Sequence, residues 1–166
     1  PIHLIWGDDF GAIDRSIEKF IQESIDPNWM NINLSRLDGQ NPSQAHQSLE
    51  EVRTPPFGNG ERVVLVKKSP FCNGCSTELS LHFESVINLI PENTHLILTH
   101  SNKPDGRLKT TKLLKELCQS NQAFEKSFVL PAIWDGPGQR KLVEKTAREM
   151  NIQLSEDAII ALVDAL

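Results

Sequence analysis

The turn after the first apolar segment reads Gly7-Asp8-Asp9-Phe10-Gly11-Ala12-Ile13, and in an α/β protein that turn is the first place to look for phosphate chemistry. A phosphate-binding loop needs Gly-x-x-x-x-Gly-Lys-Ser/Thr. Its backbone N–H groups cradle the phosphates and its Lys neutralises them. Here the glycines stand too close together and the Lys is missing. Asp8 and Asp9 put two carboxylates where phosphate oxygens would go, and like charges repel. Gly7 and Gly11 do not make the dinucleotide pattern Gly-x-Gly-x-x-Gly either. The two aspartates are expected to cap a helix. A Mg-dependent ATPase places acidic residues at the end of a nearby strand, whereas Val63-Val64-Leu65-Val66 ends in Lys67-Lys68. No metal would sit beside two ammonium groups.

Cys72-Asn73-Gly74-Cys75 has the spacing of a zinc knuckle or a redox motif. A structural zinc site needs four ligands, usually two such pairs, and the only other candidates are Cys118 and scattered histidines such as His82. A redox pair should follow a strand and open a helix. This one follows Pro70-Phe71, so a loop with reduced cysteines is the favoured reading. His3, His95 and His100 read as strand or strand-end residues. No Ser-His-Asp or Cys-His pairing emerges, so no catalytic residue, metal or cofactor is expected.

Two stretches suit binding better than catalysis. Lys103, Arg107, Lys109, Lys112 and Lys115 cluster around one predicted helix; they form either a solvated face or a contact for DNA backbone or an acidic partner. In Arg53-Thr54-Pro55-Pro56-Phe57-Gly58-Asn59-Gly60 a large aromatic stands behind two prolines. An exposed aromatic on a stiff loop is a typical interface anchor, and the prolines reduce the freedom lost on binding. The residues alone leave a second reading of Phe57 open, in which it tucks under the loop into the core.

These residues must be positioned by regular elements. Ile2–Trp6 is an apolar run stopped by Gly7 and reads as a buried strand. Phe10, Ile13, Ile17, Phe20, Ile21 and Ser24 share one helical face, broken by Asp26-Pro27. Met30, Ile32 and Leu34 alternate, predicting an edge strand over 30–34. Asn41-Pro42 starts a helix with Ala45, Leu49 and Val52 inward. Val63–Val66 is the clearest buried strand. Ser76 or Thr77 caps a helix with Leu79, Phe83, Val86, Ile87 and Ile90 inward, and His95–Thr99 is a fourth strand. Pro104-Asp105-Gly106 is a turn, Arg107–Cys118 is a helix with Leu108, Leu113, Leu114 and Leu117 inward, and Ala123–Val129 is a fifth strand with Phe124 and Phe128 as its bulky residues. After Gly136-Pro137-Gly138 only helices are expected, over 139–150 and from Ser155 onward.

Alternating strands and helices predict an α/β fold: a five-stranded, mostly parallel sheet with flanking helices, followed by the start of a small helical domain. The boundary falls near Pro131 to Gly138, giving domains 1–131 and 138–166. The 166 residues suffice for one full domain and part of another. A net charge of −5 excludes nucleic-acid binding through bulk positive charge. No apolar run approaches a membrane span, and three Cys argue for a reducing compartment. The chain opens on Pro1 without a signal peptide and stops at Leu166 inside a helical pattern, so a piece of a longer protein is expected.

Four segments, in this order, carry a resemblance that runs along the whole chain. They are Leu4-Ile5-Trp6-Gly7-Asp8-Asp9, the Arg53–Gly60 loop, the stretch Ser101–Lys115, and Ala147-Arg148-Glu149-Met150-Asn151-Ile152-Gln153-Leu154. Together they resemble the delta subunit family of the bacterial DNA polymerase III clamp loader. The resemblance implies an AAA+-like first domain without a working nucleotide site, then a helical bundle, here cut short. A third helical domain that joins the clamp-loader ring would lie beyond this chain.

It implies a mechanical role: the family binds the ring-shaped sliding clamp (the beta subunit) and stabilises an opened interface. Other subunits hydrolyse ATP and control access to the clamp; the implied partners among them, gamma/tau and delta prime, are met through the third domain. The implied clamp contacts are Thr54, Pro55, Pro56 and Phe57, with Pro56 standing where the family often has Leu. Lys103, Arg107, Lys109 and Lys112 are candidates for DNA or an acidic partner. Primed DNA in the full complex and a cytoplasmic location follow from the same resemblance. The runner-up reading is an α/β enzyme binding a ligand near Gly7.

Overall fold

The computed structural model describes residues 1–131 and 136–149. Five strands, β1 (Ile2–Trp6), β2 (Leu34–Asp38), β3 (Arg62–Lys67), β4 (Thr94–His100) and β5 (Ala123–Ser127), form one sheet in the order β2-β3-β4-β1-β5. Every neighbouring pair is parallel. Parallel strands need crossover connections, and right-handed crossovers fix which face each helix covers. The chain leaves β1 for the far edge through α1 (Phe10–Ser24), then returns through α3 (Pro42–Glu51), α4 (Thr77–Val86) and α5 (Lys109–Gln119). The reversal of direction puts α1 alone on one face and the other three on the opposite face.

The core follows the two-residue period of the strands. Val64 and Val66 pack with Leu4, Leu96 and Leu98 under Leu49, Leu79, Phe83 and Leu114 of the three-helix face. Val63 and Leu65 point the other way and join Ile5 and Ile97 against Ile13, Ile17 and Ile21 of α1. β4 is buried at every position, as expected for a central strand covered on both faces.

Local signals explain most boundaries. Asp9 caps α1 by accepting from Ala12 N–H at 3.1 Å. Asn41 caps α3, with Pro42 in its first turn, and Ser76 caps α4 through Leu79 N–H at 3.2 Å. The strand expected over 30–34 is not there. Met30–Asn33 is a single helical turn, α2, and the edge strand is the more polar Leu34–Asp38 that follows it. Phe10, assigned to the inner face of α1, is 61% exposed, and Phe124 on the edge strand β5 is exposed as well. α5 buries Thr110 and Thr111 beside Leu114, with Leu108 outside the helix as its cap residue.

The chain divides into two compact units, residues 1–128 and 129–166. In the second unit α6 runs Gly136–Glu149, beginning three residues before the expected Gln139. It carries an i,i+4 pair, Arg140–Glu144, at 3.2 Å. The expected helix from Ser155, and the end of the helix at Met150, lie outside the described residues. Among the described residues no helix is long and apolar enough to cross a membrane.

Candidate functional site

The loop between α3 and β3 projects an aromatic from a firmly tied base. At its start, Thr94 Oγ1 donates to the Thr54 carbonyl at 2.8 Å. At its end, Gly60 bridges Ile25 and Glu61 N–H donates to the Ser24 carbonyl at 3.0 Å. Between these ties the side chain of Asn33 grips the backbone of Phe57. Asn33 Nδ2 donates to the Phe57 carbonyl at 2.8 Å, and Phe57 N–H donates to Asn33 Oδ1 at 2.9 Å. Asn33 is completely buried.

Gly58 follows with φ +64, a conformation that costs an L side chain energy. Pro55 is exposed, Thr54 and Pro56 are half-buried, and the Phe57 side chain is 51% exposed. The alternative in which Phe57 enters the core is therefore not adopted.

The basic stretch is less uniform than its composition suggests. Arg107 is drawn back onto Asp105, with Nη2 at 2.9 Å and Nε at 3.1 Å from its oxygens. These hydrogen bonds hold the Asp105 carboxyl down to about 2. Lys109 pairs with Glu84 at 2.8 Å, and Lys115 with Glu125 at 2.7 Å. Lys103 and Lys112 are exposed and have no acidic partner among the described residues. Exposed pairs are weak, so this face keeps much of its positive character.

The turn after β1 has spent donors that a phosphate would need. Gly7 N–H donates to the His100 carbonyl at 3.1 Å, Asp9 N–H to the Phe128 carbonyl at 3.1 Å, and Phe10 N–H to the Asp8 carbonyl at 3.1 Å. A Cβ at Gly7 would lie 2.0 Å from the Phe128 carbonyl oxygen, so the turn is pressed onto the end of β5. Lys67 pairs with Asp14 at 3.5 Å. A crevice of about 780 Å³ opens at this edge of the sheet, lined in part by Phe10, Asp14, Lys67, Lys68 and His100.

Burial pushes the Cys72 thiol up to about 11, and Cys75 and Cys118 are also raised chiefly by burial. An activated redox cysteine is shifted the other way. His3 Nε2 lies 2.9 Å from His95 Nδ1, and His95 Nε2 lies 3.0 Å from Glu61 Oε2. His82 bonds His46 and Glu50, at 2.7 Å each. Among the described residues no group of three or more ligating side chains is arranged to hold a metal ion.

Sequence reasoning missed Asn33, and it missed Trp29, whose indole lies against Gly58. Nothing in a sequence marks an asparagine as the backbone partner of a residue 24 positions away; the one available signal is a polar residue beside the apolar Met30, Ile32 and Leu34.

A family model described as DNA polymerase III, delta subunit, matches residues 3–124. No curated protein matches the chain. Among solved structures, the DNA clamp loader delta protein of Bacillus subtilis is similar, with a TM-score of 0.69 at 24% identity over 88% of this chain and 43% of that one. At that identity the likeness establishes the fold. The chain spans less than half the length of that protein.

Proposed function

The chain belongs to the DNA polymerase III delta subunit family, and from that premise we propose that it binds the ring-shaped sliding clamp through the Thr54–Phe57 tip and holds one clamp interface open. The observation that carries this reading is the 51% exposure of Phe57 on a loop tied at both ends and in the middle. An aromatic of this kind gains its burial energy only when a partner supplies the pocket. Because the loop is ordered beforehand, little conformational entropy is lost on docking.

Clamp opening then needs no chemistry in this chain. A ligand shifts a two-state equilibrium by its difference in affinity for the two states. A tip that fits the clamp better in its opened form stabilises that form by the difference. ATP hydrolysis is assigned to other subunits, and gamma/tau and delta prime are partners met through a third domain beyond this chain. Residues 1–131 serve as the AAA+-like domain, and a helical second domain begins near residue 138. Lys103 and Lys112, with Arg107 and Lys109, face primed DNA or an acidic partner in the full complex, in the cytoplasm.

The runner-up, an α/β enzyme using the crevice near Gly7, has the cavity of about 780 Å³ in its favour. Against it stand the spent amides of the turn and the carboxylates of Asp8 and Asp9. Binding of the purified cognate clamp to the immobilised chain tests the proposal; saturable binding supports it, and its absence removes it. ATP added at millimolar concentration is expected to leave the thermal midpoint in place. A ligand that binds only the folded state at about 100 times its dissociation constant would add roughly 2.7 kcal/mol and favour the enzyme reading.

A further inference from the structure

We infer that Asn33 is the positioning residue for Phe57, setting where the aromatic stands when the partner arrives; this rests on the clamp-binding reading above. The amide side chain makes both hydrogen bonds to one residue's backbone, accepting from Phe57 N–H at 2.9 Å and donating to the Phe57 carbonyl at 2.8 Å. That is the exchange of donor and acceptor made between paired residues of antiparallel strands, here supplied by a side chain. It fixes the peptide groups on both sides of the Phe57 Cα, and so the direction of its Cα–Cβ bond.

The grip is referenced to the sheet. Asn33 is the last residue of α2, and the next residue, Leu34, enters β2 in register with Val63 of β3. At the foot of the same turn, Arg62 Nη1 donates to the Ile32 carbonyl at 3.1 Å. Asn33 itself is fully buried, so its amide has no water to compete for it, and no other side-chain type presents the same donor and acceptor at that length. The remaining ties act on Thr54 and on Gly60 and Glu61. Without Asn33, the Phe57 backbone would keep no hydrogen bond among the described residues.

A double-mutant cycle on the full-length chain, read as affinity for the purified clamp, tests this. Asn33→Ala is expected to weaken clamp binding about tenfold in a chain that remains folded by circular dichroism. In a Phe57→Ala background the same substitution is expected to change affinity less than twofold, since a residue acting through the ring has nothing left to position. Equal losses in both backgrounds, or no loss in the wild-type background, would overturn the inference while leaving the clamp-binding reading intact. No loss from Phe57→Ala alone would overturn that reading and this inference with it. Amide hydrogen exchange in the unmodified chain gives an answer even if Asn33→Ala fails to fold. Phe57 N–H is expected to exchange at least about 100-fold more slowly than the neighbouring Asn59 N–H, and equal rates would contradict the grip.

Discussion

The indole of Trp29 lies directly against Gly58: a Cβ built on Gly58 would sit 2.1 Å from Trp29 Cε2. Trp29 ends the 3₁₀ turn Pro27–Trp29, which Asp26 caps by accepting from Asn28 N–H at 2.9 Å. The ring therefore forms a fixed floor beneath the residue that follows Phe57, and only a residue without a side chain can pass over it. Gly58→Ala is expected to cost about 2–3 kcal/mol of stability, from the left-handed backbone and the collision with the ring together. Urea unfolding checks this. An unchanged midpoint would contradict close packing of the loop on Trp29.

Acid should destabilise the fold through His3. Burial, followed by the neighbouring His95, lowers its pKa to about 4 from the usual 6.5. Above pH 6.5 the imidazole is neutral whether the chain is folded or unfolded, and the stability is fully present. Between pH 6.5 and about 4 the unfolded chain takes up a proton that the folded chain refuses, so stability falls. The loss is on the order of 2–3 kcal/mol. His3→Phe should flatten this limb of the stability–pH curve. A limb of the same depth in His3→Phe would move the effect to another group.

The cysteines should be slow to react. With its thiol pushed up to about 11 by burial, Cys72 carries almost no thiolate at neutral pH and is closed to reagents. Alkylation with iodoacetamide at pH 7.5, followed by mass spectrometry, is expected to modify Cys72 last, after the partly buried Cys75 and Cys118. Fast modification of Cys72 in the folded protein would contradict this order.

Much of the frame was legible because the chain declares its central elements strongly. Val63–Val66 is an unbroken apolar run and Ile2–Trp6 is interrupted only by His3, as expected of strands buried on both faces. Asp9, Asn41 with Pro42, and Ser76 carry cap chemistry in their own residue types. The edge failed for the opposite reason. The true strand Leu34–Asp38 includes Ser35, Arg36 and Asp38 and is largely uncovered, so it shows no apolar run. The single helical turn before it imitates strand alternation through Met30, Ile32 and Leu34.

At the candidate site, Phe57 could be singled out by type and setting. Its exposure could not, because Asn33 and Trp29, which hold the loop, come from another part of the chain. The pairing of Arg107 with Asp105 needed coordinates for a different reason. Two residues of opposite charge two positions apart do not declare whether they face each other or a partner.

The most direct test of the tip is Phe57→Ala, measured twice on one preparation, for clamp affinity and for thermal midpoint. With the ring half in solvent, its removal is expected to move the midpoint by no more than about 2 °C. Clamp binding should fall by roughly 30- to 1,000-fold, or about 2–4 kcal/mol, as for a central aromatic anchor. A large drop in midpoint with clamp affinity retained would contradict the account, placing Phe57 in the core and the clamp contact elsewhere.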